Sequence, residues 1–144
     1  MPTDVAALSG ILMYILFLGI ICVVEIISLW GLSKLLKFKK QDIKTPIIVS
    51  VASTIIAEAL SFFLYSGLMG NYYYPEGLIL FIALQLVLFV IYLFLIKRFY
   101  DENWKKTLMM GVPTIIVTMA AYILLTIVFA VIGIALENYS AGHV

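Results

Sequence analysis

Long apolar runs alternate with short polar connections along this chain. A helix that crosses a bilayer needs about 20 mostly apolar residues, and four runs meet that length. The pattern predicts an all-α integral membrane protein with four transmembrane helices, formed as a single domain over residues 1–144. The predicted spans cover about residues 5–36, 45–68, 76–96 and 107–136.

The connections favour two helical hairpins, because short loops make consecutive helices antiparallel neighbours. Hairpin 1 takes about residues 5–68, hairpin 2 about residues 76–136, and a short outer tail follows at 137–144. The two halves share a Lys that ends an apolar run, and a Lys-Thr pair that starts the next helix, at offsets of roughly 60 residues. This similarity fits a parallel tandem repeat. Any two apolar hairpins with basic turns share it, so duplication and chance similarity both stay open.

Composition supports the membrane assignment and narrows the chemistry. Of all residues, 65% are hydrophobic and 12% are charged, whereas soluble domains carry about 25% charged residues. The net charge of +1 is too small for a nucleic-acid partner. Cys22 is the only cysteine and His143 the only histidine. A disulfide within the chain, a haem or a structural zinc site needs more ligands than that, so we expect no cofactor and no metal site.

The positive charges predict the orientation in the membrane. All nine Lys and Arg residues lie in two segments, 34–44 and 97–106. The positive-inside rule places such basic loops in the cytoplasm, so both termini are expected outside. We therefore expect a multi-pass protein of the plasma membrane, with the lipid bilayer as its first partner.

Two acidic residues interrupt the apolar runs, and they are the first candidates for function. Glu25 and Glu58 are each flanked by aliphatic residues. A charged group at the bilayer centre costs roughly 2.5–3.5 kcal/mol, so each glutamate should face a partner or a cavity. Counted from a turn centred near Lys40, both lie about 22–27 Å into the bundle and within about 5 Å of each other along the axis. The same count from a second turn, centred near Glu102, places Gln85 and Thr118 in that layer.

Three interpretations of this polar layer stay open. The glutamates form a carboxylate pair that shares a proton, since two close carboxylates do not both ionise cheaply. Alternatively, both are protonated and only bond neighbouring helices, or one or both face a polar group on another subunit. The candidate intramembrane site is Glu25, Glu58, Gln85 and Thr118, with no catalytic residue assigned.

Two classes of function follow from these features. The first is a transport or channel component for protons or small cations that uses the carboxylate pair. The second is a non-catalytic accessory or structural subunit of a larger membrane complex. A membrane enzyme that acts on lipid is the least favoured, since no nucleophile or second basic group accompanies the glutamates. We expect a homo-oligomer or an assembly with other membrane subunits.

Overall fold

The computed structural model describes residues 2–67 and 76–141, with side-chain surroundings for 8–64, 66 and 77–135. Over these residues the protein is all-helical, without strands, and its four helices are long and apolar enough to cross a membrane. The connection between the second and third predicted spans lies outside the described residues. The helices are α1 (Pro2–Leu35), α2 (Lys44–Gly67), α3 (Glu76–Tyr100) and α4 (Trp104–Ala141).

The fourth helix is longer at both ends than the sequence pattern predicts. It begins at Trp104 because Asn103 caps it: the Asn103 side-chain oxygen accepts the backbone N–H of Lys106 at 2.9 Å. The helix is described as far as Ala141, so it continues through residues 137–141 of the segment that the sequence predicts as a tail at 137–144. Residues 142–144 lie outside the described part.

Each helix packs against two others in a ring. Helix α1 contacts α2 and α4, and α3 contacts the same two helices. Packing is concentrated at the end that carries the basic connections. The buried apolar core there is formed by Leu29, Phe38, Val49, Tyr92, Ile96, Tyr100 and Met110. Towards the other end, most large apolar side chains are exposed, as those of a lipid-facing surface would be.

The chain leaves α1 through a left-handed residue. Lys37 has a φ of 51°, and its N–H donates to the Lys34 carbonyl while the Phe38 N–H donates to the Ser33 carbonyl. This pair of bonds is a Schellman motif, which ends a helix and satisfies its last carbonyls. Phe38, just past the turn, is buried and packs edge-on against Tyr100 at 5.3 Å between ring centroids. The chain thus reverses at Lys37, before the middle of the connection.

Helix α2 begins at Lys44, one residue before the predicted start at 45. Thr45 followed by Pro46 is a sequence pattern typical of an N-cap and first helical residue, but Thr45 already lies inside the helix. The Thr45 hydroxyl instead donates to the Asp42 carboxylate at 2.6 Å. This bond holds the pKa of the exposed Asp42 carboxyl below its usual range. Asp42 therefore adds order to the turn that precedes α2.

The two basic connections hold each other through a set of contacts that we call the loop clasp. Its centre is Glu102, whose side chain is only 4% exposed. The Glu102 carboxylate accepts the backbone N–H of Lys39 at 2.7 Å and pairs with the Lys106 ammonium at 3.5 Å. Lys106 also donates to the Lys37 carbonyl at 2.9 Å, and Lys40 donates to the Phe99 carbonyl at 2.8 Å. The clasp therefore joins the end of α1 to the start of α4.

Helices α3 and α4 approach closely at Gly111. A Cβ placed there would lie 2.5 Å from Cδ2 of Leu93 and 3.3 Å from Cδ1 of Ile96. Both contacted side chains are buried, so neither has free space to move into. Small residues at helix contacts let the backbones approach in this way. Gly111 therefore sets the spacing of the packed end.

We expect Gly111→Val to lower the free energy of unfolding by about 1–3 kcal/mol, the usual cost of overpacking a core. Gly133→Val is the matched control, because it makes the same change in the same helix at a position with nothing within 4 Å. Thermal unfolding of both variants in one detergent measures the difference. Equal destabilisation of the two variants would show that the α3–α4 contact is not close.

Candidate functional site

The buried carboxyl of Glu25 lies where α1 meets α2. The residue is 7% exposed. Two serines of α2 contact it: Oγ of Ser50 lies 3.1 Å from one carboxyl oxygen, and Oγ of Ser53 lies 3.2 Å from the other. The serines follow each other at i, i+3, which places them on one helix face. Glu25 therefore has a dedicated hydroxyl partner for each of its oxygens.

The hydroxyl protons around Glu25 can be counted. Ser53 has one hydroxyl proton and two acceptors, the Ser50 carbonyl at 2.9 Å and the Glu25 carboxyl at 3.2 Å. If Ser53 donates to the nearer carbonyl, its oxygen is free to accept a hydrogen bond from the O–H of a neutral Glu25. If it donates to Glu25, it supports the ionised carboxylate. The same contacts thus serve both protonation states of Glu25, without movement of the backbone.

Helices α3 and α4 complete the surroundings of Glu25. Tyr92 of α3 lies close to Glu25 and to Thr114 of α4. Its hydroxyl is buried and makes no hydrogen bond of good geometry within the described part of the chain, although Glu25 and Thr114 are close enough to interact with it. Thr114 is fully buried, and its hydroxyl donates to the Met110 carbonyl of its own helix at 2.8 Å. Each of the four helices therefore brings a polar side chain to this region.

Glu58 has a different partner. Its carboxylate accepts the hydroxyl of Tyr14 at 2.6 Å, in the loosely packed half of the molecule. Tyr14, Phe17, Tyr122 and neighbouring side chains line an open cleft of about 440 Å³. Tyr14, the partner of Glu58, therefore lines a space that opens between α1 and α4, while Glu25 is enclosed.

The contacts between α1 and α2 give the relative depth of the two glutamates. Sγ of Cys22 lies 3.2 Å from Oγ1 of Thr54, and Glu25 lies opposite Ser50 and Ser53. In this register Glu58 is level with about residue 18, roughly 10 Å along the axis from Glu25. No hydrogen bond joins the two carboxyls within the described chain. The sequence estimate of about 5 Å centred the turn at Lys40, whereas the chain reverses at Lys37.

Three sets of side-chain contacts between α1 and α2 form a line of polar groups that we call the polar column: Tyr14–Glu58, Cys22–Thr54 and Glu25 with Ser50 and Ser53. It runs along the α1–α2 interface from the cleft to the packed end. Beyond Glu25, the apolar core around Leu29, Val49 and Ile96 separates the column from the basic connections. Cys22 and Thr54 were not selected as site residues from the sequence, although each lies one turn from a glutamate on its own helix.

The structure does not bring Gln85 and Thr118 into the polar column. Gln85 lies on an exposed face of α3, and its amide makes no hydrogen bond within the described residues. Thr118 is partly buried, and its hydroxyl donates to the Thr114 carbonyl of its own helix at 2.8 Å. The sequence groups Gln85 and Thr118 with the glutamates because all four residues are predicted at a similar depth. In the structure they lie apart from the glutamates because depth does not determine how each helix is rotated about its axis.

The fold defines a class: a multi-pass helical membrane protein with four apolar helices. Comparisons with protein-family models, with curated proteins and with solved structures found no match to this chain. Within the described residues, no group of three or more His, Cys, Asp and Glu side chains is placed to hold a metal ion. The polar column is therefore the feature from which function is argued.

Proposed function

We propose that this protein is a small transport or channel component that moves protons or small cations across a membrane along the polar column. The observation that carries the proposal is the enclosure of Glu25 by hydroxyl groups that suit both its protonation states. A buried ionisable group inside a membrane bundle is a functional candidate because it is costly to keep there. The proposed role is not enzymatic.

The glutamates in this proposal act in series and are not a side-by-side pair. Glu58 beside the cleft exchanges protons with the loosely packed half, and Glu25 holds them at the edge of the apolar core. Cys22 and Thr54 lie between them and bridge part of the gap of roughly 10 Å. Water molecules in the cleft would cover the rest, since a hydrogen-bonded chain is needed for proton transfer. The apolar core closes the pathway towards the basic connections, so transport requires this end to open.

The orientation proposed from the sequence places the end that has to open, the one with the basic connections, on the cytoplasmic side. We propose two hairpins with the connections at 34–44 and 97–106 in the cytoplasm of a plasma-membrane protein, and both termini outside. The cleft then faces the outer half and the loop clasp closes the inner end. A parallel repeat of the two hairpins is kept as part of this proposal. Its support is that both connections contain a left-handed residue within two positions of the helix end, Lys37 and Asp101.

Proton uptake by proteoliposomes tests the proposal. Purified protein is reconstituted with a pH-sensitive dye inside, and a potassium gradient with valinomycin sets an inside-negative potential. Uptake should rise in proportion to the amount of protein and exceed that of protein-free liposomes. A rate equal to the protein-free rate at every protein density, for protons and for sodium or potassium ions, would contradict the proposal.

An accessory role in a larger assembly is the second candidate, and Gln85 favours it. A polar amide on an exposed face of a membrane helix is unfavourable unless another helix hydrogen-bonds it. The partner would be a second copy of this chain or another membrane subunit. Glutamine carries both donors and an acceptor, so a symmetric pair of Gln85 side chains satisfies itself.

We expect Gln85→Leu to weaken this association and to leave the fold of the single chain intact, because the side chain makes no hydrogen bond within it. The mass of the gently purified particle, measured for both proteins in the same detergent, shows the change. Leu86→Met is a matched control on the next residue, which is also exposed. An unchanged mass for Gln85→Leu would exclude Gln85 as a contact between subunits.

A further inference from the structure

The oxygen atoms around Glu25 form more than a proton site. The carboxylate, the two serine hydroxyls and the nearby Tyr92 hydroxyl come from three helices and converge on one buried point. The Tyr92 hydroxyl is buried without a hydrogen bond in the described chain. A buried polar group without a partner is costly, and this cost is removed when a ligand meets it.

We propose that this cluster binds a small monovalent cation, with sodium as the representative ion, in competition with the proton on Glu25. The proposal deepens the proposed function and rests on it. Glu25 supplies the negative charge, and Ser50, Ser53 and Tyr92 supply neutral oxygen ligands. A purely structural role of the cluster does not explain why the buried Tyr92 hydroxyl has no hydrogen bond of good geometry in the described chain.

The charge of the cluster selects the class of ion. Glu25 is the only carboxylate in it, so a monovalent cation is neutralised and a divalent cation would keep one buried positive charge. Calcium takes six to eight oxygen ligands, commonly with several carboxylates, and magnesium keeps several waters. Hydroxyl and carboxylate oxygens do not suit soft metal ions, which prefer sulfur and nitrogen. A sodium-sized or lithium-sized ion fits the donor set best.

The exchange conserves charge. When sodium enters, the Glu25 carboxyl releases its proton to the solvent, and the ion takes its place beside the carboxylate. Tyr92 on α3 is the titratable group that faces Glu25 from the other helices, and Ser50 and Ser53 do not titrate in this range. The Glu25 carboxylate is neutralised by a proton in one state and by a sodium ion in the other, so the net charge of the buried site is the same in both.

Proton release on addition of sodium chloride tests the proposal. Purified wild-type protein in a weakly buffered detergent solution should release up to about one proton per chain, saturating with sodium concentration. Choline chloride at equal ionic strength should release none. Glu25→Gln should abolish the release, while Asp101→Asn, at an exposed carboxylate outside the polar column, should retain it.

Tyr92→Phe gives the sharper test. It removes a hydroxyl that has no hydrogen bond in the described chain, so the variant should fold as well as the wild type. We expect its apparent sodium affinity to fall about tenfold, because a ligand to a charged group is lost. Leu93→Met is the control at the neighbouring buried position.

The outcomes separate this inference from the proposed function. Release that choline matches, or that survives in Glu25→Gln, overturns the sodium site. Unchanged sodium affinity in Tyr92→Phe overturns the role of Tyr92. Proton uptake by proteoliposomes without any sodium-dependent release leaves the transport function standing and removes the sodium site alone.

Discussion

Replacing Glu25 with glutamine is expected to reduce proton uptake by proteoliposomes to the protein-free rate. Glutamine has the shape of glutamate and can donate to and accept from Ser50 and Ser53, so the α1–α2 contact should be kept. It cannot bind and release a proton in the physiological range. Positioned acid–base groups typically contribute about 100-fold or more to proton transfer, so the loss should exceed the error of the assay.

Asp101→Asn is the control for this variant. It also exchanges a carboxylate for an amide, but at an exposed position, 77% accessible, in the connection between α3 and α4. Its proton uptake should equal that of the wild type. Thermal unfolding in detergent confirms that Glu25→Gln is folded. A folded Glu25→Gln protein with wild-type uptake would show that protons do not pass through Glu25.

Replacing Glu102 with alanine is expected to give the largest loss of stability among the charged residues. The change removes the buried carboxylate that accepts the backbone N–H of Lys39 and pairs with the Lys106 ammonium. A hydrogen bond to a charged group contributes about 1.5–3 kcal/mol, and the loss of a partly buried ion pair adds to it. The free energy of unfolding should fall by about 2 kcal/mol, measured by denaturation in mixed micelles.

Asp101→Asn is the control in the adjacent residue, because asparagine removes the charge and tolerates the left-handed backbone there. Asp101 pairs with Lys39 at 3.8 Å, but both side chains are more than two-thirds exposed. Exposed ion pairs contribute about 0–1 kcal/mol, so this variant should lose little. If the two variants are equally destabilised, Glu102 does not hold the connections together. If neither is destabilised, the loop clasp carries no stability at all.

The sequence predicts the four helices because their lengths and apolar composition leave few alternatives. An apolar run of more than 20 residues has to satisfy its backbone internally in lipid, and a helix does so. The ends of the helices are predicted less well, since local bonds determine them. Asn103 extends α4 backwards as its cap, and the bond from Thr45 to Asp42 takes Thr45 out of the capping role.

The two glutamates are found from the sequence because a carboxyl in an apolar run is rare and costly. Their partners are not, since these depend on helix rotation and on the position of the turn. Ser50, Ser53 and Tyr92 meet Glu25 because the chain reverses at Lys37. A left-handed lysine gives no sequence signal of the kind that glycine gives. A turn centred at Lys40 places Glu58 level with about residue 22, whereas the contact of Cys22 with Thr54 places it level with about residue 18, about one helical turn away.

Infrared spectroscopy of the protein in lipid tests most directly whether Glu25 is an exchangeable proton site. Spectra are compared across the pH range over which the protein stays folded, for the wild type, Glu25→Gln and Glu58→Gln. The account predicts a protonated-carboxyl band that decreases as pH rises, with a matching rise in the carboxylate band. This change should be missing in Glu25→Gln and present in Glu58→Gln. A spectrum without any Glu25-dependent change, in which the carboxyl keeps one protonation state throughout, would contradict the account.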